Sequence, residues 1–223
     1  MTIELELLQS LPYFEGLVDE ELSSIRGRMF ERSVGRGEII QLEGKSAEAL
    51  FIVTDGAVKV FKTSAEGKEQ ILNIVHPGET FNDVAVFDDG PTTASAQAMT
   101  PVTVYGISHN ELHNLLSNYP RVALNTTKVL AERTRQLVSL VEDLSFRRVI
   151  GRIAKILLQY ASDVNPPQPR LTQQEIAAVA GTVREVVARS LKTLEENGAI
   201  RLERHRIRII DKAVLEDLVG ASA

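Results

Sequence analysis

Residues 171–198, LTQQEIAAVAGTVREVVARSLKTLEENG, constrain the fold more than any other stretch, because they specify two short helices and a reversal between them. Thr172 is placed to cap the first helix, and Glu175 three residues on completes a capping box. Ile176, Ala177 and Val179 give this helix a small apolar face about two turns long. Gly181 stands at the reversal, where a positive φ is easiest for glycine. Thr182 is expected to cap the second helix, in which Val183, Val186, Val187, Ser190, Leu191 and Leu194 fall close to an i, i+3, i+4, i+7 pattern. Arg184, Glu185, Ala188 and Arg189 are left on the other side. Arginine can donate two hydrogen bonds to guanine and glutamate can accept from the cytosine amino group, so this face is predicted to read base edges in DNA. The plainer alternative is a surface helix in which Glu185 and Arg189 form an i, i+4 pair.

The chain of 223 residues is long enough for one large domain or two modest ones, each with an apolar core. It has no cysteine, which excludes disulfides, thiolate-held iron–sulfur clusters, thiol redox switching and cysteine-type zinc sites. No apolar run approaches the ~20 residues that span a bilayer, and Glu4 and Glu6 interrupt the start, so neither a membrane segment nor a signal peptide is predicted and a cytoplasmic protein is expected. The net charge of −5 hides an asymmetry. Residues 1–143 hold 12 Lys and Arg against 21 Asp and Glu, whereas residues 144–223 hold 13 against 9. Local positive charge is what phosphate neutralisation needs, so the split suits a basic DNA-binding module attached to an acidic partner domain.

Short helices are predicted at residues 5–8 and 18–28, around a turn at 12–16. Their apolar positions Leu7, Leu8, Leu11, Phe14, Leu17, Leu22 and Ile25 would form a lid. Between Phe30 and Ile107 short β-rich runs recur, at 39–40, 49–53, 57–61, 70–75, 81–86, 94–98 and 102–107. Asp55-Gly56, Glu66-Gly67, Pro77-Gly78 and residues 88–91 mark turns between them, a pattern of a sandwich or small barrel. A short helix at 109–117 precedes a long one running from Pro120 towards Ser145. There Ala123, Thr126, Leu130, Arg133, Leu137, Leu140 and Leu144 alternate by three and four, a stripe that fits a two-fold dimer seam. A further amphipathic helix is expected over 146–161, then a stiff loop through Asn165-Pro166-Pro167-Gln168-Pro169. Beyond Gly198, residues 200–202 and 207–210 alternate as two strands around Glu203-Arg204-His205-Arg206, a basic tip suited to lie against phosphates.

Over nearly the whole chain, LLQSLPYFEGL, GEIIQLEG, VTDGAVKVF, HPGETFNDVAVFDDG, LSFRRVIGRIAKILL, LTQQEIAAVAG and REVVARSLKTLEENGAI resemble the family of bacterial transcription regulators that includes the cyclic AMP receptor protein and FNR. The resemblance implies an α+β fold. Residues 1–120 would form an N-terminal β-barrel sensor domain, a double-stranded β-helix of the cyclic-nucleotide-binding type. Residues 121–145 would be the dimerisation helix and hinge, and 146–223 a C-terminal winged helix-turn-helix. It further implies a homodimer that binds double-stranded DNA and acts with RNA polymerase. Arg184, Glu185 and Arg189 occupy the positions that read a TGTGA-like half-site, which implies a palindrome. Thr172, Gln173 and Val183 fall at phosphate-contacting positions, with Arg204 and Arg206 added by the wing. Val183 replaces the usual serine or threonine, so its contact would come from the backbone N–H.

The sensor departs from the cyclic-nucleotide pattern. In nucleotide-binding members a GE-L-x-L-(x5)-R-[ST]-A run supplies a glutamate for the ribose and an arginine for the cyclic phosphate. Here the run is Asn82-Asp83-Val84-Ala85-Val86 followed by Pro91-Thr92-Thr93-Ala94, and no arginine occurs between Arg36 and Arg121. Leu137 and Val138 replace the polar pair that contacts adenine. Without a bidentate cation a buried phosphate is poorly held, so cyclic AMP binding is not expected. Asp83, Val84, Thr92, Thr93, Leu137 and Val138 would line the effector pocket, and an apolar pocket between the barrel and Leu137, Val138 and Val141 could take a haem or another hydrophobic ligand. His76, before the Pro77-Gly78 turn, is the best haem ligand among His76, His109, His113, His205, Met29 and Met99, and no other metal site is expected. His109 and His113 are four apart and could share a helix face as metal-binding pairs do. The intervening Asn110-Glu111-Leu112 does not match H-E-x-x-H, and a polar helix start capped by Ser108 is the plainer reading. A regulator without effector, controlled by its abundance, is a further alternative. A cupin-like metal enzyme is disfavoured, because the strand region before Ile107 holds one histidine.

Overall fold

The computed structural model describes residues 3–160, 171–203 and 206–220. The chain divides into two compact units, Met1–Lys62 with Asn73–Gln136 and Thr63–Leu72 with Leu137–Ala223. No helix among the described residues is long and apolar enough to cross a membrane.

The first unit opens with α1 (Leu5–Ser10), a 3-10 turn at Pro12–Phe14 and α2 (Asp19–Arg26). Strands β1 (Phe30–Val34), β2 (Ile39–Gln41), β3 (Ala49–Asp55), β4 (Val58–Thr63), β5 (Glu69–Val75), β6 (Thr80–Phe81), β7 (Ser95–Ala98) and β8 (Val102–Ser108) follow, with α3 (Asp83–Asp88) between β6 and β7; the last residue of β4 and the first four of β5 fall in the stretch grouped with the second unit. They build two four-stranded sheets, ordered β1-β8-β3-β6 and β2-β7-β4-β5. Strand β1 was not among the runs expected from sequence.

Strand β3 shows how sequence alternation produces two cores. Its side chains point alternately to opposite faces. Ala49, Phe51 and Val53 join Val58, Val75, Phe81 and Val104 inside the sheets. Leu50 and Ile52 face the other way and pack with Leu8, Leu11, Phe14, Leu22 and Ile25, the expected lid. Burial of both faces explains a continuous apolar run where a half-exposed strand would alternate with polar residues. Gly106 permits a close approach in β8, since a Cβ there would lie 2.3 Å from the Phe30 ring.

The strand expected over 81–86 is a correction. Only Thr80–Phe81 is extended, and the chain then turns through Asn82, at φ +70°, into α3. The Asn82 amide donates to the Ala49 carbonyl at 2.8 Å, which holds the left-handed residue in place. Apolar content alone did not distinguish a short helix from a strand.

Helix α4 (His109–Asn118) is capped by the Ser108 hydroxyl, as expected, and leads into the 27-residue α5 (Pro120–Phe146). Val122, Asn125 and Thr126 are the buried residues of α5. The Asn125 amide donates to the carbonyls of Tyr13 and Glu15, at 3.2 and 2.9 Å, and so fixes the start of α5 to the N-terminal turn.

The second unit holds α6 (Val149–Tyr160), α7 (Gln173–Ala180), α8 (Arg184–Glu196), β9 (Ile200–Glu203), β10 (Arg206–Ile209) and α9 (Lys212–Gly220). The expected helix over 146–161 is shorter, since Phe146 ends α5 and α6 begins at Val149. Ile153, Ile156, Leu157, Ile176, Val187, Leu191, Leu194 and Leu215 form its core. The proline-rich loop, Arg204 and His205 lie outside the described residues, as does the side chain of Arg206.

Candidate nucleic-acid interface and sensor site

The capping box is present in full. The Thr172 hydroxyl accepts from the Glu175 N–H at 3.2 Å, and a Glu175 carboxylate oxygen accepts from the Thr172 N–H at 2.6 Å. This satisfies two of the donors that every helix start leaves open, and it ties Thr172 and Gln173 to one geometry. Gly181 closes α7 at φ +65°, and its N–H bonds to the Ala177 carbonyl. A side chain there would be strained, and a Cβ would lie 2.7 Å from Leu144 Cδ2. Arg152 holds the same helix end from below, donating at 2.7 Å to both the Ala180 and the Arg147 carbonyls. A guanidinium on the final carbonyls of a helix also complements its dipole. Burial lowers the Arg152 pKa, and the Asp143 charge opposes that shift.

Helix α8 begins one residue later than expected. Val183, and not Thr182, is its N-cap, without a side-chain hydrogen bond, while the Thr182 N–H is spent on the Ala177 carbonyl. A valine has no oxygen to offer the helix start, so the Val183 position can meet a phosphate through backbone alone. Val187, Leu191 and Leu194 are buried in the unit core, while Arg184, Glu185, Ala188 and Arg189 are exposed together. The residues expected to read bases are thus brought onto one face near the start of the helix.

Strands β9 and β10 form the expected hairpin, in which Arg206 pairs with Glu203 and Arg208 stands directly opposite Arg201. Both Arg201 and Arg208 are exposed. Two like charges in one cross-strand pair oppose each other, so this pair suits an anionic partner that neutralises it. Sequence reasoning named the tip arginines and missed these two, although both lie two residues from the ends of the four-residue tip.

No arginine occurs between Arg36 and Arg121, but the structure brings one to this stretch from α5. Arg133 of α5 reaches Asp83 at the start of α3: its Nε donates to Asp83 Oδ2 at 3.0 Å, and its Nη2 donates to the Thr80 carbonyl at 2.7 Å. Asp83 is 6% exposed. Arg133 was expected on the dimer seam with Leu130, Leu137, Leu140 and Leu144. It turns instead into its own chain, because a buried carboxylate demands a partner. Tyr13 lies buried close by, and desolvation, followed by the Asp83 charge, pushes its hydroxyl pKa up.

Other expected sensor residues are dispersed. Thr92 is buried, and its hydroxyl donates to the Lys45 carbonyl at 3.1 Å and contacts the Leu42 carbonyl at 2.5 Å. It braces the loop before β3. Val84 and Thr93 are exposed. Leu137, Val138 and Val141 are 54%, 53% and 62% exposed, and Leu144 is also exposed, whereas Leu130 and Leu140 are half-buried. His76 is half-buried at its turn, where its N–H donates to a Glu79 carboxylate oxygen at 2.8 Å. Partial burial lowers the His76 pKa, and the Glu79 charge works against that.

Two family models match the chain: the cyclic nucleotide-binding domain over residues 31–119 and the Crp-like helix-turn-helix domain over residues 151–218. The cyclic AMP receptor protein of Thermus thermophilus is 31% identical over 211 residues, covering 95% of this chain and 98% of that one. The CRP-like cAMP-activated global transcriptional regulator of Mycobacterium tuberculosis is 30% identical over 213 residues, covering 92% and 95%. Among solved structures, FixK2 from Bradyrhizobium japonicum superposes with a TM-score of 0.77 at 24% identity, covering 87% of this chain and 99% of that one, a likeness of fold.

Proposed function

Since the chain belongs to the cyclic AMP receptor protein and FNR family of DNA-binding transcription regulators, we propose that it binds, as a homodimer, a palindrome of two TGTGA-like half-sites through Arg184, Glu185 and Arg189. The observation that carries this reading is the joint exposure of those three side chains on α8 while Val187, Leu191 and Leu194 are buried behind them. Thr172, Gln173 and the backbone at Val183 contact phosphates, joined by Arg201 and Arg208 of the wing. The exposed Leu137, Val138, Val141 and Leu144 of α5 form the dimer seam, which places two recognition helices about 34 Å apart on the duplex.

In this reading the sensor does not depend on cyclic AMP. The Asp83 carboxylate is committed to Arg133, Thr92 is committed to its own loop, and no arginine occurs between Arg36 and Arg121 to hold a cyclic phosphate. A second reading, in which cyclic AMP remains the effector, is favoured by the two relatives named for it. Titrating the protein onto the palindrome and onto scrambled DNA, with and without cyclic AMP, separates them. Preference for the palindrome that cyclic AMP leaves unchanged supports the first reading, and an increase on adding the nucleotide supports the second. A Soret band in the absorption spectrum would instead restore haem at His76.

A further inference from the structure

We propose that Asp89, His109 and His113 form a binding site for one zinc-class divalent ion, bridging the turn after α3 to the first two turns of α4 in the sensor unit. The claim is independent of the DNA-reading proposal, since it concerns residues that touch none of the DNA-facing elements.

Four residues apart on a helix, His109 and His113 share one face. Their ring centroids lie 4.8 Å apart. Asp89 comes from outside that helix and completes the set. Its Oδ1 contacts the His109 Nε2 and lies 3.8 Å from the His113 Nε2. One ligand atom from each residue falls within 4.8 Å of the others. A tetrahedral ion with bonds of about 2.0–2.1 Å holds its donors roughly 3.3 Å apart, so small side-chain rotations suffice to close the three around it.

The scaffold is fixed on both sides. Leu112 and Leu115 anchor α4 in the core, and Ser108 caps it, so the histidine face has little freedom to turn. Asp89 occupies a left-handed conformation at φ +58°, an unfavourable setting for a residue other than glycine. The neighbouring Asp88 carboxylate accepts from the Gly90 N–H at 2.9 Å and holds this turn.

Two imidazoles and one carboxylate are borderline donors. They suit zinc and its neighbours, whereas calcium and magnesium call for more oxygen ligands. Three protein ligands leave a fourth position for water, and side-chain exposures of 34% for His109, 52% for His113 and 64% for Asp89 leave the site open to exchange with solvent. An ion here would tie down the end of α3, the helix whose first residue, Asp83, holds Arg133 of α5. A surface histidine–aspartate contact without metal is the competing account, and such pairs contribute little to stability.

The test is calorimetric titration of the full chain, stripped with a chelator, with zinc chloride. One ion per chain is expected with micromolar affinity, together with a higher melting temperature in zinc. His113→Ala and Asp89→Asn should each weaken binding at least tenfold and abolish the thermal shift, while His76→Ala should leave both unchanged. Circular dichroism checks that the variants are folded, and Asp89→Asn, at an exposed turn, serves if the helix variant is not. Absence of saturable binding, or wild-type affinity in folded His113→Ala or Asp89→Asn, would overturn the proposal.

Discussion

Arg133 and Asp83 show what a single pair decides. Removing the cation leaves a carboxylate that is 6% exposed without its charge partner, a strongly unfavourable state. Arg133→Met should therefore lower the unfolding free energy by on the order of 3 kcal/mol in urea titrations. The double variant with Asp83→Asn should recover part of that loss, because the orphaned charge is gone. In the proposed function Arg184 acts on the ligand and not on the fold. Exposed at the start of α8, Arg184→Ala should weaken palindrome binding by about 1–3 kcal/mol and relax preference at one base pair, with the melting temperature unchanged. Fluorescence anisotropy on palindromic and scrambled duplexes measures it, and an unaltered ratio between the two would remove Arg184 from the base-reading set.

Local code and local structure agree best in α7 and its turn. Thr172, Glu175 and Gly181 each satisfy a backbone requirement within a few residues, so their roles were legible in sequence before any tertiary contact was known. Thr172→Ala should cost about 1 kcal/mol of stability, measurable as a lower urea midpoint at unchanged slope. Elements defined by distant partners were not legible in this way. The run Phe81–Val86 has strand-forming residues, but the left-handed Asn82 and the burial of Ala85 and Val86 make it a helix. Arg133 sits on a stripe with the periodicity of a seam and leaves it for a carboxylate 50 residues earlier. Asp89 joins His109 from 20 residues away, across β7 and β8, and no spacing rule connects them. The cross-strand pair of Arg201 and Arg208 became visible only once the hairpin register was known.

Across the whole molecule, the charge division in the sequence follows the two family matches: the acidic portion holds the cyclic nucleotide-binding domain and the basic portion the Crp-like helix-turn-helix domain. The exposed apolar residues of α5, the seam of the proposed homodimer, connect this to assembly: Leu137→Glu should convert the proposed dimer to monomer in sedimentation velocity and weaken binding to the proposed palindrome, with little change in the secondary structure of each chain. Apolar side chains, exposed along that face of α5, are wholly internal in the first five residues of β3. Phe51 is paired with Gly106 on one side and Phe81 on the other, and Ile52 with Tyr105 and Thr80. Their side chains enter separate clusters on opposite faces of the sheet. Both are fully buried on β3, which is bonded by β8 on one side and by the short edge strand β6 on the other, so their amide protons reach solvent chiefly when the sheet itself opens. In deuterium oxide they should be the last of the sensor unit to exchange, at a rate set by its global opening.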